Sequence, residues 1–223
     1  QYGEFQDFGG RVYTEFNESV NVIEPFDIPP EWQDVMSIDP GLNNPLSCHW
    51  YAVDYDGNVY VVDEHYDKGK DIYWHADKIK QKCQRLNWHT DSFGKYVSLI
   101  DSAANQRTLA STKSVAELFC ENGITVNTKV NKDVFSGINR VKGYLMSAEG
   151  KPRLFIFKHC INMIREIKSY WWGENDMPKK VDDHSMDELR YYICSRPEAS
   201  KQPLQKTAIQ KDKEVLLRRL RCK

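Results

Sequence analysis

Apolar positions recur along the chain with two different periods, which predict strands and helices within one fold. Short runs rich in Val, Ile, Tyr and Trp predict strands at 35–39, 47–54, 58–65, 96–101, 124–130 and 154–157. Apolar residues at helical spacing predict helices at 71–86, 113–122, 134–145 and 161–171, and a last helix that begins at 182 or 183. The first three strands follow one another without a helix, so we expect them to be antiparallel. The sequence therefore predicts an α/β fold, a mixed sheet flanked by helices.

The second and third predicted strands are joined by Tyr55-Asp56-Gly57-Asn58. Asp-Gly between two such runs predicts a hairpin with a type I′ turn, because that turn needs positive φ at its central residues. We therefore expect a tight connection at this point.

Residues 1–34 have no clear period and contain three prolines between positions 25 and 30. They predict an irregular lead-in whose aromatic side chains pack against the domain. Because the chain begins with Gln1 rather than Met, we expect a fragment of a longer protein, with the lead-in as a linker from an upstream domain.

Three aspartates are placed along the chain in an order that suits a divalent-cation site. Asp39 ends the first predicted strand, Asp101 ends the fourth, and Asp187 lies in the last helix. Any one of them could be an ordinary strand end or helix cap. The order of strand, strand and helix favours a shared site, because carboxylates from rigid elements can hold two hard cations such as Mg²⁺ about 4 Å apart.

Other polar side chains are candidates for the same site. Asp183 shares a helix face with Asp187, so that either acid could reach a metal. His184 could bind a metal, orient water or move a proton, or it could be purely structural. Glu64 ends the third predicted strand and could be an outer carboxylate or an ordinary exposed acid, while Asp63 beside it points to the opposite face.

Composition narrows the class of protein. A chain of 223 residues with 40% hydrophobic residues should be globular, and no apolar run approaches the roughly 20 residues that span a bilayer. The six cysteines form no C-x-x-C pair, so we expect reduced, buried thiols. The chain has no G-x-x-x-x-G-K-[ST] motif, which argues against ATP hydrolysis.

The net charge of −1 conceals an asymmetry. Residues 201–223 carry eight basic side chains against two acids, a charge of +6, which leaves −7 for the remainder. This tail could contact phosphates or be a solvated terminus. Four further basic residues could line a groove for the DNA backbone or form a solvated helix face: Lys129, Lys132, Arg140 and Lys142. Trp171 and Trp172 could stack on bases, but aromatic residues beside an apolar helical stripe are usually core.

Four blocks of the sequence, in order, resemble one protein family. They are Ile38-Asp39-Pro40-Gly41, Val62-Asp63-Glu64-His65-Tyr66, Ile100-Asp101-Ser102-Ala103-Ala104-Asn105 and Asp183-His184-Ser185-Met186-Asp187-Glu188-Leu189-Arg190-Tyr191. From about 26 to 196 the chain resembles the C-terminal nuclease domain of the large terminase subunit of tailed bacteriophages, within the ribonuclease-H-like superfamily. The resemblance implies a mixed sheet of three antiparallel strands and then parallel strands, flanked by helices. It implies a nuclease domain at 35–196, between a lead-in from an upstream ATPase domain (1–34) and a basic C-terminal tail (197–223).

The resemblance also implies the chemistry. The carboxylates of Asp39, Asp101 and Asp187 would bind two Mg²⁺ or Mn²⁺ ions with His184 beside them, leaving Asp183 as a helix cap or outer group. The expected activity is a DNA endonuclease that cuts concatemeric viral DNA during genome packaging in the host cell cytoplasm, with little sequence preference. Expected partners are double-stranded DNA, the terminase small subunit, the portal protein and the upstream ATPase domain, and no membrane. Two alternatives stay open: a junction-resolving or transposase-type nuclease of the same fold, and a non-catalytic module that docks DNA or the portal.

Overall fold

A computed structural model describes residues 10–41, 43–107 and 112–196 of the chain. Its strands are β1 (Val22–Ile23), β2 (Gln33–Asp39), β3 (Leu46–Val53), β4 (Val59–Asp67), β5 (Tyr96–Ile100), β6 (Ile124–Asn127) and β7 (Leu154–Phe157). Its α-helices are α1 (Glu18–Asn21), α2 (Ile72–Arg85), α3 (Val115–Glu121), α4 (Val134–Leu145), α5 (Ile161–Ser169) and α6 (His184–Ser195). Short 3₁₀ turns lie at Pro30–Trp32, Ser102–Asn105 and Glu174–Asp176.

The described strands form one seven-stranded sheet in the order β1-β7-β4-β3-β2-β5-β6. The central strands β2, β3 and β4 are antiparallel, as their consecutive order predicted. Parallel strands extend the sheet on both sides, with β5 beside β2 and β7 beside β4. All eight residues of β3 are buried, because helices cover both faces of the sheet. The predicted mixed α/β fold is confirmed.

The two faces of the sheet are covered by different helices. Trp50 on β3 donates from its indole nitrogen to Cys83 Sγ of α2, at 3.3 Å. The next residue, Tyr51, donates from its hydroxyl to the carboxylate of Glu188 on α6, at 2.7 Å. Helix α2 therefore lies on one face and α6 on the other, with α4 and α5 packed against α6.

The hairpin between β3 and β4 forms where it was predicted, but its turn is of another type. Only Gly57 has positive φ, at 81°, whereas a type I′ turn needs positive φ at two successive residues. The Asp54 carboxylate accepts from the backbone N–H groups of Asp56 and Asn58, at 2.9 and 2.8 Å. These side-chain bonds stabilise a longer turn in which glycine alone takes the left-handed conformation.

The lead-in is more regular than its sequence predicted. It forms α1 and β1, and β1 adds a parallel edge strand next to β7. The buried Asn21 side chain donates to the carbonyl oxygens of Leu145 and Leu154, at 3.4 and 3.0 Å. Val12 and Tyr13 are fully buried. Elements of four and two residues carry too little periodicity to be recognised in a sequence.

Three further predictions concern the cysteines, membrane-spanning segments and the basic tail. In the described ranges the cysteines are free thiols, with Cys48, Cys83 and Cys160 buried. No helix among the described residues is long and apolar enough to cross a membrane. The basic tail predicted at 197–223 lies outside the described residues.

Candidate metal centre and active site

Asp39 and Asp101 lie at the ends of neighbouring parallel strands. Ile38 at the end of β2 is paired with Ile100 at the end of β5, so the aspartates that follow them lie side by side at one edge of the sheet. One oxygen of Asp101 accepts from the Ala103 N–H and from Lys132 Nζ, both at 2.7 Å. Both carboxylates are thus held on rigid elements.

Helix α6 brings the third predicted acid to the same edge. His184, its first residue, lies with Nδ1 3.2 Å from Asp39 Oδ2. Tyr191, two turns further on, donates from its hydroxyl to Asp101 Oδ2 at 3.0 Å. Asp187 lies between His184 and Tyr191 on the same helix. These two side chains are the ones hydrogen-bonded to Asp39 and Asp101. The structure therefore brings the predicted Asp39, Asp101, Asp187 and His184 together.

The ionisation of Asp39 depends on the other two acids. Burial raises the pKa of Asp39 to about 6, and the charges of Asp187 and Asp101 add to this, although the hydrogen bond with His184 opposes it. The same three acids, after burial itself, raise the pKa of the Tyr191 hydroxyl. The hydrogen bond to Asp39 in turn raises the pKa of His184. Like charges are crowded here, and a cation would relieve the repulsion.

Three basic side chains lie against these acids. Lys132 Nζ lies 2.7 Å from Asp101 Oδ1, and Lys180 Nζ lies 2.9 Å from Asp187 Oδ2. Arg190, one turn along α6, lies 2.7 Å from Asp187 Oδ1. Lys132 was predicted from the sequence as a DNA contact, whereas Lys180 and Arg190 were not predicted. The nearest counter-charges of the site are therefore supplied by the chain itself.

The donor atoms gathered at this edge of the sheet fit a divalent cation in their chemistry. Within the part of the chain that the structure describes, no three Asp, Glu, His or Cys side chains are placed so that they could hold a metal ion. Lys132, Lys180 and Arg190 pair with individual carboxylate oxygens of Asp101 and Asp187 instead. Carboxylate oxygens are the ligands that Mg²⁺ and Mn²⁺ prefer, and Asp39, Asp101 and Asp187 supply them from adjacent elements.

Asp183 and Glu64, the two candidates for an outer carboxylate of the metal site, have different surroundings. Asp183 is at the N-cap position of α6, but its side chain makes no capping bond and lies 3.0 Å from Lys180 Nζ. Glu64 faces the start of α5, where its oxygens accept from the N–H groups of Asn162 and Met163 at 3.1 to 3.2 Å. The carboxylate of Glu64 is therefore committed to a helix N-terminus, which explains its burial without a metal.

The four basic residues proposed for DNA contact do not share one surface. Lys129 is exposed, and Lys132 lies at the acid cluster. Arg140 donates to the carbonyl oxygen of Arg196, at 3.0 Å, and Lys142 lies 3.4 Å from Glu15 Oε1. Of the four, Lys132 therefore lies at the candidate site, through its ion pair with Asp101.

The two tryptophans after α5 also differ from each other. Trp171 is 42% exposed, whereas Trp172 is partly buried and stacks on Phe135 of α4 with ring centroids 6.4 Å apart. Of the two tryptophans, only Trp172 therefore lies partly in the core, where an aromatic residue beside an apolar helical stripe was expected.

A buried polar network fixes the position of α6. His49 Nδ1 on β3 lies 2.6 Å from Glu188 Oε1, and its Nε2 lies 3.4 Å from Glu64 Oε2. Burial lowers the pKa of His49, but the Glu188 and Glu64 carboxylates outweigh it and raise the pKa to about 9. The Ser37 hydroxyl of β2 donates to the Glu188 carbonyl oxygen at 3.0 Å. Sequence spacing gave no sign of this network, because its members are far apart in the chain.

A cleft opens beside Asp39 and Asp101. It has a volume of about 480 Å³ and is bordered by the start of α2 and by α3. Its walls include Lys70 and Tyr73, and the Tyr73 side chain is 55% exposed. The acids therefore lie at the end of an open, partly apolar cleft where an extended ligand can approach them.

The sheet and its flanking helices form the ribonuclease-H-like fold of large-terminase nuclease domains. The resemblance drawn from the four sequence blocks is therefore confirmed for the fold. No protein-family model matches the chain, and no curated protein matches it.

The similar solved structures are terminases of bacteriophages. The large terminase of a thermophilic bacteriophage, in complex with ADP, is 24% identical with a TM-score of 0.68, over 84% of this chain and 45% of that one. The P22 large terminase nuclease domain is 19% identical with a TM-score of 0.68, over 86% of this chain and 94% of that one. The g2p nuclease domain of bacteriophage SPP1, with bound Mn, is 18% identical with a TM-score of 0.50, over 78% and 94%. The chain thus spans less than half of the thermophilic phage protein and nearly all of two nuclease domains.

Proposed function

We propose that this chain is the nuclease domain of a phage large terminase subunit, a metal-dependent endonuclease that cuts concatemeric DNA during genome packaging. The observation that carries the proposal is the meeting of Asp39, Asp101, Asp187 and His184 at one edge of a terminase-type sheet. The SPP1 nuclease domain with bound Mn supports a divalent cation as the cofactor.

The three aspartates are the proposed ligands of two Mg²⁺ or Mn²⁺ ions. When bound, two such ions would neutralise the charge of a phosphodiester and make a water molecule more acidic. Asp39 is the proposed shared ligand, because it lies between Asp101 on the neighbouring strand and His184 on α6. Arg190 and Tyr191 hold Asp187 and Asp101 in orientation.

His184 is proposed to position Asp39 and to carry a proton during cleavage. Its Nδ1 is bonded to Asp39, and its side chain is 15% exposed, so solvent reaches it. The hydrogen bond to Asp39 raises the pKa of His184, which favours the protonated form of the ring. A protonated imidazole beside a scissile phosphate can protonate the leaving oxygen.

Double-stranded DNA is the proposed substrate, and no base-reading motif in the sequence suggests sequence preference. Lys132 and the cleft bordered by Lys70 and Tyr73 lie beside Asp101 and offer contacts to a phosphate backbone, and the exposed Lys129 is a further proposed contact. The small subunit, the portal protein and an upstream ATPase domain are proposed as partners in the packaging motor, inside the host cell.

The test is incubation of supercoiled plasmid with the chain and Mn²⁺. We expect nicked and linear products from the native protein, and a loss of cutting of roughly 100-fold or more in Asp39→Asn, because the neutral amide is a poor ligand for a hard cation. Asp77→Asn changes an exposed acid on α2 and should cut like the native protein.

Other outcomes would change the proposal. Plasmid that stays supercoiled with both the native protein and Asp39→Asn would favour a non-catalytic docking module. Cutting of four-way junctions with intact linear duplex would favour a junction-resolving enzyme of the same fold.

A further inference from the structure

Two lysines cover the carboxylates that the proposed function assigns to metal binding. Lys132 pairs with Asp101 at 2.7 Å, and Lys180 pairs with Asp187 at 2.9 Å and with Asp183 at 3.0 Å. The lysine side chains are 46% and 62% exposed, whereas the three carboxylates are 8% to 16% exposed. The ammonium groups therefore lie between the acids and the solvent.

Arg190 contacts the same cluster in a different way. Its side chain is only 4% exposed, and it is held by Asp187 at 2.7 Å and by the Tyr170 hydroxyl at 3.0 Å. Arg190 is therefore a buried counter-charge that is held by two partners, whereas the two lysines are exposed counter-charges.

We infer that Lys132 and Lys180 are exchangeable counter-charges, which leave Asp101 and Asp187 when divalent cations bind and then contact the DNA backbone. The lysine of each pair is largely exposed, so that its ammonium group is hydrated again when it leaves the carboxylate. A lysine and a divalent cation at one carboxylate repel each other, which favours the departure of the lysine. The inference rests on the proposed function and adds to it that metal binding and DNA binding strengthen each other.

The released lysines have a defined target. Both are anchored within one side-chain length of the acids, and a phosphate bound at the cations would lie above the same carboxylates. Each lysine that moves from a carboxylate to a phosphate adds one contact to the DNA backbone, and such contacts appear in the salt dependence of binding.

The first experiment measures Mn²⁺ binding to the chain by titration calorimetry, without DNA. Lys132→Met and Lys180→Met keep the length of the side chain and remove its charge. We expect each to bind Mn²⁺ about three- to tenfold more tightly than the native protein, because one competing cation is gone. Lys158→Met and Lys168→Met are matched controls, since these exposed lysines pair with Glu24 and Glu18 at 2.6 and 2.7 Å, away from the acid cluster.

The second experiment measures binding of a short DNA duplex by fluorescence anisotropy, with EDTA or with Ca²⁺, over a range of salt concentrations. In EDTA the lysine variants should bind DNA like the native protein, because their ammonium groups are engaged with the acids. With Ca²⁺ each variant should have a slope of log affinity against log salt that is smaller by about 0.9, the value for one lost phosphate contact.

The outcomes separate this inference from the proposed function. Mn²⁺ binding that is the same in native protein and Asp39→Asn would remove the metal site and, with it, both proposals. Mn²⁺ binding that needs Asp39 but is unchanged or weaker in Lys132→Met and Lys180→Met would overturn the exchange alone. An equal loss of DNA affinity in EDTA and in Ca²⁺ would likewise show that the lysines contact DNA without leaving the acids.

Discussion

At the scale of single residues, the surroundings of the buried histidines shift their pKa values in opposite directions. The carboxylates of Glu188 and Glu64 raise the pKa of His49 to about 9, against the opposing effect of burial. His65 lies beside another histidine instead, with its Nε2 2.8 Å from Nδ1 of His75. Burial lowers the pKa of His65 to about 4, and the nearby His75 contributes to the shift. The same fold therefore favours the protonated imidazole at His49 and the neutral imidazole at His65 and His75.

Because the fold favours the neutral form of His65 beside His75, we predict that the protein loses stability in mild acid. In the unfolded chain His65 takes up a proton near its ordinary pKa of about 6.5, but in the folded chain only near 4. The unfolded state therefore binds more protons between these values, and the free energy of unfolding falls as the pH drops from 6.5 toward 4. Urea unfolding at pH 7 and pH 4.5 should show a contribution of about 2 to 3 kcal/mol from this residue.

The variant His65→Gln removes the titrating group and should lose less stability between the two pH values than the native protein. His159→Gln is the control, because that side chain is 44% exposed. Equal losses in native protein and His65→Gln would show that the buried pair does not titrate in this range.

At the scale of elements, α6 is the part on which the candidate site depends most. It carries His184 and Asp187, and its position on the sheet is set by Glu188, which contacts His49 at 2.6 Å and the Tyr51 hydroxyl at 2.7 Å. Glu188 and His49 are fully buried. Loss of one partner from a buried ion pair leaves the other without compensation, which is much more costly than loss of an exposed pair.

We predict that Glu188→Ala lowers the free energy of unfolding by about 3 to 5 kcal/mol. Cutting should also decrease, because His184 and Asp187 move with the helix. Urea denaturation measures the first effect and the plasmid assay the second. Glu121→Ala removes an acid from an ion pair in which both side chains are about half exposed, and should cost less than about 1 kcal/mol. A loss of stability at Glu188 no larger than that at Glu121 would contradict the role of this network.

The elements themselves could largely be predicted from the sequence, because strands and helices that bury one face leave a period in the chain. The sequence predicted β7 at 154–157 and α4 at 134–145, and both are found there. It missed β1, since two residues show no alternation, and it predicted the wrong turn type because the Asp54 side chain supplies bonds that no dipeptide pattern contains.

The candidate site could be predicted only in part. Asp39 and Asp101 were recognisable because a carboxylate that ends an apolar strand is exposed at the edge of a sheet. The partners Lys180, Arg190 and Tyr191 were not, because tertiary packing decides which polar side chains of a loop or helix meet them. Glu64 resembles Asp101 in the sequence, because each is an acid at the end of a predicted strand. In the structure, however, the backbone N–H groups at the start of α5 donate to the Glu64 carboxylate.

At the scale of the whole molecule, the lead-in is packed into the same core as the sheet. Val12 and Tyr13 are fully buried, Phe16 is 6% exposed, and Val12 N donates to the Tyr170 carbonyl oxygen at 2.8 Å. Further on, the Phe26 ring packs against Tyr60, with ring centroids 5.6 Å apart. A boundary at residue 35 would cut inside β2, which begins at Gln33. The segment contributes both core side chains and an edge strand.

We therefore predict that a chain beginning at Val35 does not fold stably. Each large apolar side chain contributes about 1.5 to 3 kcal/mol when it is fully buried, so the loss of Val12, Tyr13 and Phe16 alone removes about 5 kcal/mol or more. That is comparable with the whole stability of many domains, which is about 5 to 15 kcal/mol. A chain beginning at Gly10 keeps every described contact and is the control. Urea unfolding followed by tryptophan fluorescence should show a cooperative transition for the chain from Gly10 and none for the chain from Val35. Equal midpoints for the two chains would show that the lead-in is only attached to the domain and that the sheet is stable without its edge strand β1.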